Sequence, residues 1–189
     1  MRKNMLCSYS YDPLDRLVGC TPSAQASSLR FYREDRLVTE TQGSVQCSIF
    51  QQSDQLLAQQ RHQDDTFETT LLATDQQRSV LCALTTQLQP FSYAPYGHRA
   101  AKNSSPSLLG FNGERLDPIT GHYLLGNGYR AFNPTLMRFN SPDNLSPFGD
   151  GGLNAYAYCS GDPVNRMDPT GHAGNFWKGL QNLFRLRKS

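Results

Sequence analysis

The sequence predicts a mainly β protein, a meander of antiparallel β-hairpins, and three observations lead there. Apolar residues alternate: Val45, Cys47 and Ile49 share one face, then Phe67, Thr69, Leu71 and Ala73, then Val80, Cys82 and Leu84. A two-residue period marks strands with one buried face. Turn formers separate these runs at Asp12-Pro13, Gln42-Gly43, Ser53-Asp54, Asp64-Asp65 and Thr74-Asp75. Finally, the tetrapeptide Asp15-Arg16-Leu17-Val18 returns 20 residues later as Asp35-Arg36-Leu37-Val38, with echoes at Asp54-Gln55-Leu56-Leu57 and at Asp75 with Val80-Leu81. Such a period argues for stacked hairpins rather than one globule.

In chain order, residues 1–95 read as the degenerate hairpin repeats, their Gln- and Ser-rich stretch fitting a sheet wetted on one face. Residues 96–107 have no periodicity and many turn formers, which makes a loop. Residues 108–172 form a second segment. There Asp117-Pro118-Ile119-Thr120-Gly121 is a tight turn, because Pro fixes φ and Gly accepts positive φ. Flanking Phe111, Leu116, Tyr123 and Leu125 supply strand residues for a hairpin. Leu153 to Cys159 reads as a short helix, stopped by Ser160-Gly161 and Pro163. In residues 173–189, apolar Phe176, Trp177, Leu180, Leu183 and Phe184 make one helical stripe, and Lys178, Arg185, Arg187 and Lys188 add charge with no acid.

Composition removes several function classes. Of 189 residues 38% are hydrophobic, mean hydropathy is -0.56 and net charge is +2, with no basic stripe for nucleic acid. The five cysteines, Cys7, Cys20, Cys47, Cys82 and Cys159, are widely spaced without a CxxC pair. The four histidines fall at no metal-ligand spacing, so neither zinc nor any other cofactor is expected. Gly126-Asn127-Gly128-Tyr129-Arg130-Ala131 fits G-x-G-x-x-A, but Phe132-Asn133-Pro134 follows and Pro134 breaks the helix that nucleotide binding needs. The first 25 residues hold no apolar signal region, and no stretch could span a bilayer. The chain is therefore expected to be cytoplasmic as synthesised, with any export carried out by a secretion machine or partner.

The strongest family signal is an ordered series of motifs. Leu109-Gly110-Phe111-Asn112-Gly113-Glu114-Arg115-Leu116-Asp117-Pro118 opens it, and Arg138-Phe139-Asn140-Ser141-Pro142-Asp143 follows. Gly151-Gly152-Leu153-Asn154-Ala155-Tyr156 and Asp162-Pro163-Val164-Asn165 come next, and Asp168-Pro169-Thr170-Gly171-His172 closes it. This series closely resembles the core domain of bacterial Rhs (rearrangement hot spot) proteins, above all the C component of insecticidal Tc toxin complexes. Tyr93-Ala94-Pro95-Tyr96-Gly97 looks like that family's entry motif, and Tyr11-Asp12 like its YD signature. The resemblance implies a YD-repeat shell that encloses a toxin, with residues 108–172 as its core domain.

It also implies chemistry. Family members cut themselves after the DPxG edge with a carboxylate pair, one member protonated and the other ionised. Carried over, Asp168 and Asp143 are the pair, Arg138 holds a carboxylate or positions the strand, and the His172–Ala173 bond is cut. The position matching the family's first DPxG reads Asp143-Asn144-Leu145-Ser146, without Pro or Gly, and Asp150 and Asp162 are rival carboxylates. By composition alone these aspartates are turn residues. The implied partners are larger Rhs or Tc toxin components or secretion machinery. Other readings stay open: a strand-donating binding module, a small effector acting through its basic amphipathic tail, and a gene remnant without function; membrane contact by that tail is a separate option.

Overall fold

The computed structural model describes residues 6–100, 105–172 and 175–176. Nine strands form one antiparallel sheet in sequence order: β1 (Cys7–Tyr11), β2 (Leu17–Pro22), β3 (Ser28–Arg33), β4 (Arg36–Gln42), β5 (Val45–Gln52), β6 (Gln55–Gln63), β7 (Thr66–Thr74), β8 (Val80–Leu84) and β9 (Leu88–Pro90). The expected meander is present, and its turns fall where the turn formers stand. At Asp64-Asp65 both residues take positive φ (47° and 60°), the backbone of a two-residue turn whose twist matches the strands it joins.

Register explains the repeat. Ser10 pairs with Gly19 but Tyr11 with Leu17, which leaves Val18 as an extra residue. Val38, Leu57 and Leu81 are left over in the same way on β4, β6 and β8. The fourth residue of the recurring tetrapeptide is thus a β-bulge. The third turns inward: Leu17, Leu56 and Val80 are buried, and Leu37 packs against the cluster that holds Leu56 and Val80.

The bulges also decide which face is buried. On β8 the extra Leu81 shifts the parity, so Val80 and Ala83 point inward while Leu84 is exposed. On β7 the alternation holds with the opposite sense, because Thr70 is buried while Phe67 and Leu71 lie outside. There Phe50, Ala58, Leu71, Leu84 and Leu88 are cross-strand partners in succession, an apolar row over five strands.

The second segment packs on the sheet. Leu109 joins Ile49, Leu56 and Val80 in one cluster. A second cluster holds Phe111, Tyr123, Leu125, Phe132, Phe139, Tyr158 and Cys159. Around it run β10 (Tyr123–Leu124), β11 (Arg130–Asn133) and β12 (Arg138–Phe139), a small antiparallel sheet. Between Leu116 and Tyr123 the tight turn forms as expected, with Gly121 at φ 70° and its N–H donating to the Asp117 carbonyl. Glu40 of β4, 5% exposed, accepts from Arg30 at 3.1 Å and from Arg115 at 3.0 Å, tying the segment to the sheet.

The helix expected near 153–159 is absent. Asn154 Oδ1 accepts the Tyr156 N–H in a local turn. The carbonyls of Ala155 and Tyr156 then accept the N–H groups of Asp143 and Phe139. Backbone groups committed to another segment cannot close helical bonds, and a 3₁₀ turn at Cys159–Gly161 follows instead. Beyond it, β13 (Arg166–Met167) pairs with β14 (Asn175–Phe176), so the stretch expected to open a C-terminal helix begins as strand. The remainder of that helix lies outside the described residues. Among the described residues no helix is long and apolar enough to cross a membrane.

Candidate functional site

Arginine 130 organises the site. It stands on β11, where Arg130 and Phe132 face inward and Ala131 and Asn133 do not. An arginine in a core-facing position must find partners for its fork of donors. Its Nη2 donates to Asp143 Oδ2 at 2.9 Å and to the His172 carbonyl at 3.2 Å. Nη1 donates to the Ala155 carbonyl at 2.9 Å, and Nε donates to the Gly171 carbonyl. The guanidinium lies 3.7 Å from the centre of the Phe139 ring, which covers one face.

Aspartate 143 is buried beneath this guanidinium. Its Oδ1 accepts from the Leu145 N–H at 2.9 Å and lies 2.9 Å from Nδ1 of His172. Burial alone would raise its pKa, but the Leu145 N–H, the His172 ring and Arg130 outweigh it. The carboxyl is left below the usual carboxylate range. Aspartate 168 is also buried, and its Oδ1 accepts the His172 N–H at 3.1 Å and the Thr170 hydroxyl at 3.3 Å. Its Oδ2 is buried with no hydrogen-bond partner among the described residues. Here burial dominates over Arg130 and the Gly171 and His172 N–H groups, so Asp168 is pushed above the usual range. The two carboxyls that the sequence singled out therefore meet at one residue: Asp143 at the His172 ring, Asp168 at its backbone.

The third expected residue is elsewhere. Arg138 is exposed, with its guanidinium 4.8 Å from the centre of the Tyr156 ring. The carboxylate-holding role assigned to it is filled by Arg130, which the sequence reading passed over. The signal was present as an arginine in phase with the apolar residue Phe132. The rival carboxylates stand apart, since Asp162 accepts from Asn165 in its own turn and Asp150 is exposed. Ala173 lies outside the described residues; residues 168–172 follow directly on β13.

The glycines of the nucleotide-like motif have a different use. No helix follows them, because Arg130–Asn133 is strand. A Cβ on Gly126 would sit 2.1 Å from the Thr170 carbonyl oxygen, and Gly126 has φ 62°. A Cβ on Gly128 would sit 2.7 Å from Leu17 and 2.9 Å from Tyr11 of the large sheet. These glycines let the 168–172 loop lie down beside the sheet. No group of His, Cys, Asp and Glu among the described residues could hold a metal.

An antiparallel ribbon of bulged hairpins, with a folded edge segment packed across it, defines a protein of the repeat-built β-shell class. The family model for the Teneurin YD-shell matches residues 1–164, and the chain belongs to that family. Among solved structures, the TcdB2-TccC3-TEV crystal structure is similar at 21% identity and TM-score 0.61, over 90% of this chain and 9% of that one. TcdB2-TccC3-Cdc42 follows at 18% and 0.56, over 88% and 10%. A Photorhabdus luminescens Tc holotoxin pore with an aspartate-to-alanine mutation in TccC3 gives 19% and 0.55, over 90% and 10%. These likenesses show a shared fold, and this chain spans about a tenth of each relative's length. No curated protein matches.

Proposed function

We propose that this chain is the closing wall and edge of a toxin-complex shell, and that the edge cuts its own backbone between His172 and Ala173. The observation that carries the reading is the convergence of Asp143, Asp168 and Arg130 on His172. The carboxyls are pushed apart in pKa, which divides the work of acid and base. A water molecule adds to the His172 carbonyl carbon while Asp143 takes its proton. Arg130, already donating to that carbonyl oxygen, stabilises the charge that develops there. Asp168 gives its proton to the Ala173 nitrogen, the C–N bond breaks, and a new carboxyl ends at His172.

The test is the intact mass of the purified full chain over time, with D168N, D143N and R130K alongside. A species ending at His172 in the wild type, lost in all three variants of unchanged circular dichroism, is the expected result. A wild-type chain that stays whole, or a D168N chain cut at the wild-type rate, overturns the reading.

As a wall segment the chain would join larger shell components, and export would follow theirs. Among the described residues no strand pairs with the outer edges of β1 and β9, and these edges with the exposed apolar row favour a strand-adding role in such an assembly. Size exclusion checks this: association is expected, and a stable monomer at high concentration argues against it.

A further inference from the structure

The edge strand β1 carries a thiol aimed at another on β2. Cys7 faces Pro22 and Cys20 faces Tyr9, so the two cysteines are diagonal neighbours on one face of the pair. Their sulfurs stand 2.8 Å apart, which places them in direct contact. Closing a disulfide brings them to about 2.05 Å, a movement of under one ångström. Cys20 is buried at 3% exposure and Cys7 is half-buried at the sheet edge. The remaining free cysteines, Cys47, Cys82 and Cys159, have no sulfur partner recorded among the described residues.

We propose that Cys7 and Cys20 are a dithiol that oxidises to a cross-strand disulfide, clasping β1 to the sheet when the chain enters oxidising surroundings. Such bonds persist outside the reducing cytosol. The oxidant is a small disulfide such as glutathione disulfide. The Cys7 thiolate attacks one of its sulfurs and forms a mixed disulfide, releasing one glutathione thiolate. The Cys20 sulfur, losing its proton, then attacks Cys7 Sγ and expels the second. The protein gives up two electrons and two protons, and glutathione disulfide becomes two glutathiones. Access sets the order, because half-buried Cys7 meets the oxidant before buried Cys20 does. Burial pushes the Cys20 thiol up, which keeps it from leading the attack, and its second step relies on the direct contact with Cys7 Sγ.

The clasp bears on more than one strand. Tyr9 of β1 donates to Asp117 at 2.9 Å, and Tyr11 donates to the Gly128 carbonyl at 3.0 Å. Both bonds join the edge strand to the segment that carries the candidate site, yet among the described strands of the sheet β1 has β2 alone as neighbour. A covalent link across β1 and β2 closes a short loop, and short-loop disulfides stabilise chiefly by restricting the unfolded chain.

The experiment equilibrates the reduced full-length chain with glutathione disulfide, alkylates the remaining thiols and maps the peptides. Cys7 and Cys20 are expected to lose reactivity together and to appear as one linked peptide. The oxidised form should melt about 6–12 °C above the reduced one, and C20S should show no such shift. Free alkylation of both cysteines in excess oxidant overturns the proposal, as does a Cys7 that stops at the glutathione adduct. A disulfide that forms and leaves Tm unmoved overturns the clasp.

Discussion

Replacing Glu40 by glutamine tests the junction between sheet and edge. Glu40 is 5% exposed and serves two guanidiniums, Arg30 at 6% and Arg115 at 19% side-chain exposure. Arg115 reaches it with Nε at 3.2 Å to both oxygens and with Nη2 at 3.0 Å. A neutral amide keeps the shape and removes the charge that holds both arginines. Removing one partner from a buried ion pair costs about 3–5 kcal/mol, because an uncompensated charge stays behind. Two stranded guanidiniums put E40Q toward the upper half of that range. With a urea slope of about 2 kcal/mol per molar, the midpoint should fall by roughly 2 M. The control is R36Q, which breaks the Arg36–Asp54 pair of 29% and 52% exposed side chains. That pair sits in solvent and its loss should cost under about 1 kcal/mol. Urea unfolding followed by circular dichroism measures both variants. If E40Q and R36Q shift the midpoint equally, burial of the Glu40 network does not have the energetic weight assigned to it.

Two other predictions bear on the site. Cleavage should follow a bell in pH, since it needs Asp143 ionised and Asp168 protonated. Its lower limb lies below the usual carboxylate range and its upper limb above it, so mildly acidic buffer should outpace pH 8. The same shifts act on stability in opposite senses: Asp143 contributes above its unfolded pKa and loses that contribution as pH falls through its folded one. Asp168 costs stability as pH rises from its unfolded pKa to its raised folded value. A cleavage rate that climbs steadily to pH 9 would contradict this assignment. Separately, G126A should lose cleavage and unfold earlier by about 2 kcal/mol or more, because it adds left-handed strain to a clash with the Thr170 carbonyl. Equal rates and midpoints for G126A and wild type would show that the loop does not need that close approach.

The large sheet was legible because strand alternation and turn residues are local signals. Its hairpin turns fall at Gly43, Ser53-Asp54 and Asp64-Asp65, where the sequence has them. The buried face was harder to read, since one bulge residue reverses the parity of all that follows, as Leu81 does for β8. Asp143 and Asp168 were legible through motif resemblance, and the structure brings both to His172. Arg130 was hidden in a glycine pattern that suggested nucleotide binding, while Arg138 drew notice by lying next to the Asp143 motif. The helix at 153–159 failed for a tertiary reason: the carbonyls of Ala155 and Tyr156 accept from Asp143 and Phe139, beyond the reach of a helical turn. No local propensity reports such a debt to a distant neighbour.

The leftover residues at Val18, Val38, Leu57 and Leu81 have an architectural meaning. All four fall just after the hairpin turn, on even-numbered strands, and so at the same margin of the ribbon. One margin is therefore longer than the other by a residue at every hairpin. A ribbon with unequal margins cannot lie flat, and each added hairpin turns it further in the same sense. Adding hairpins of this kind would wind the wall into a coil whose radius is written in the spacing of single valines and leucines. Deleting one of them would locally straighten the arc, so curvature and length in such a wall can vary independently.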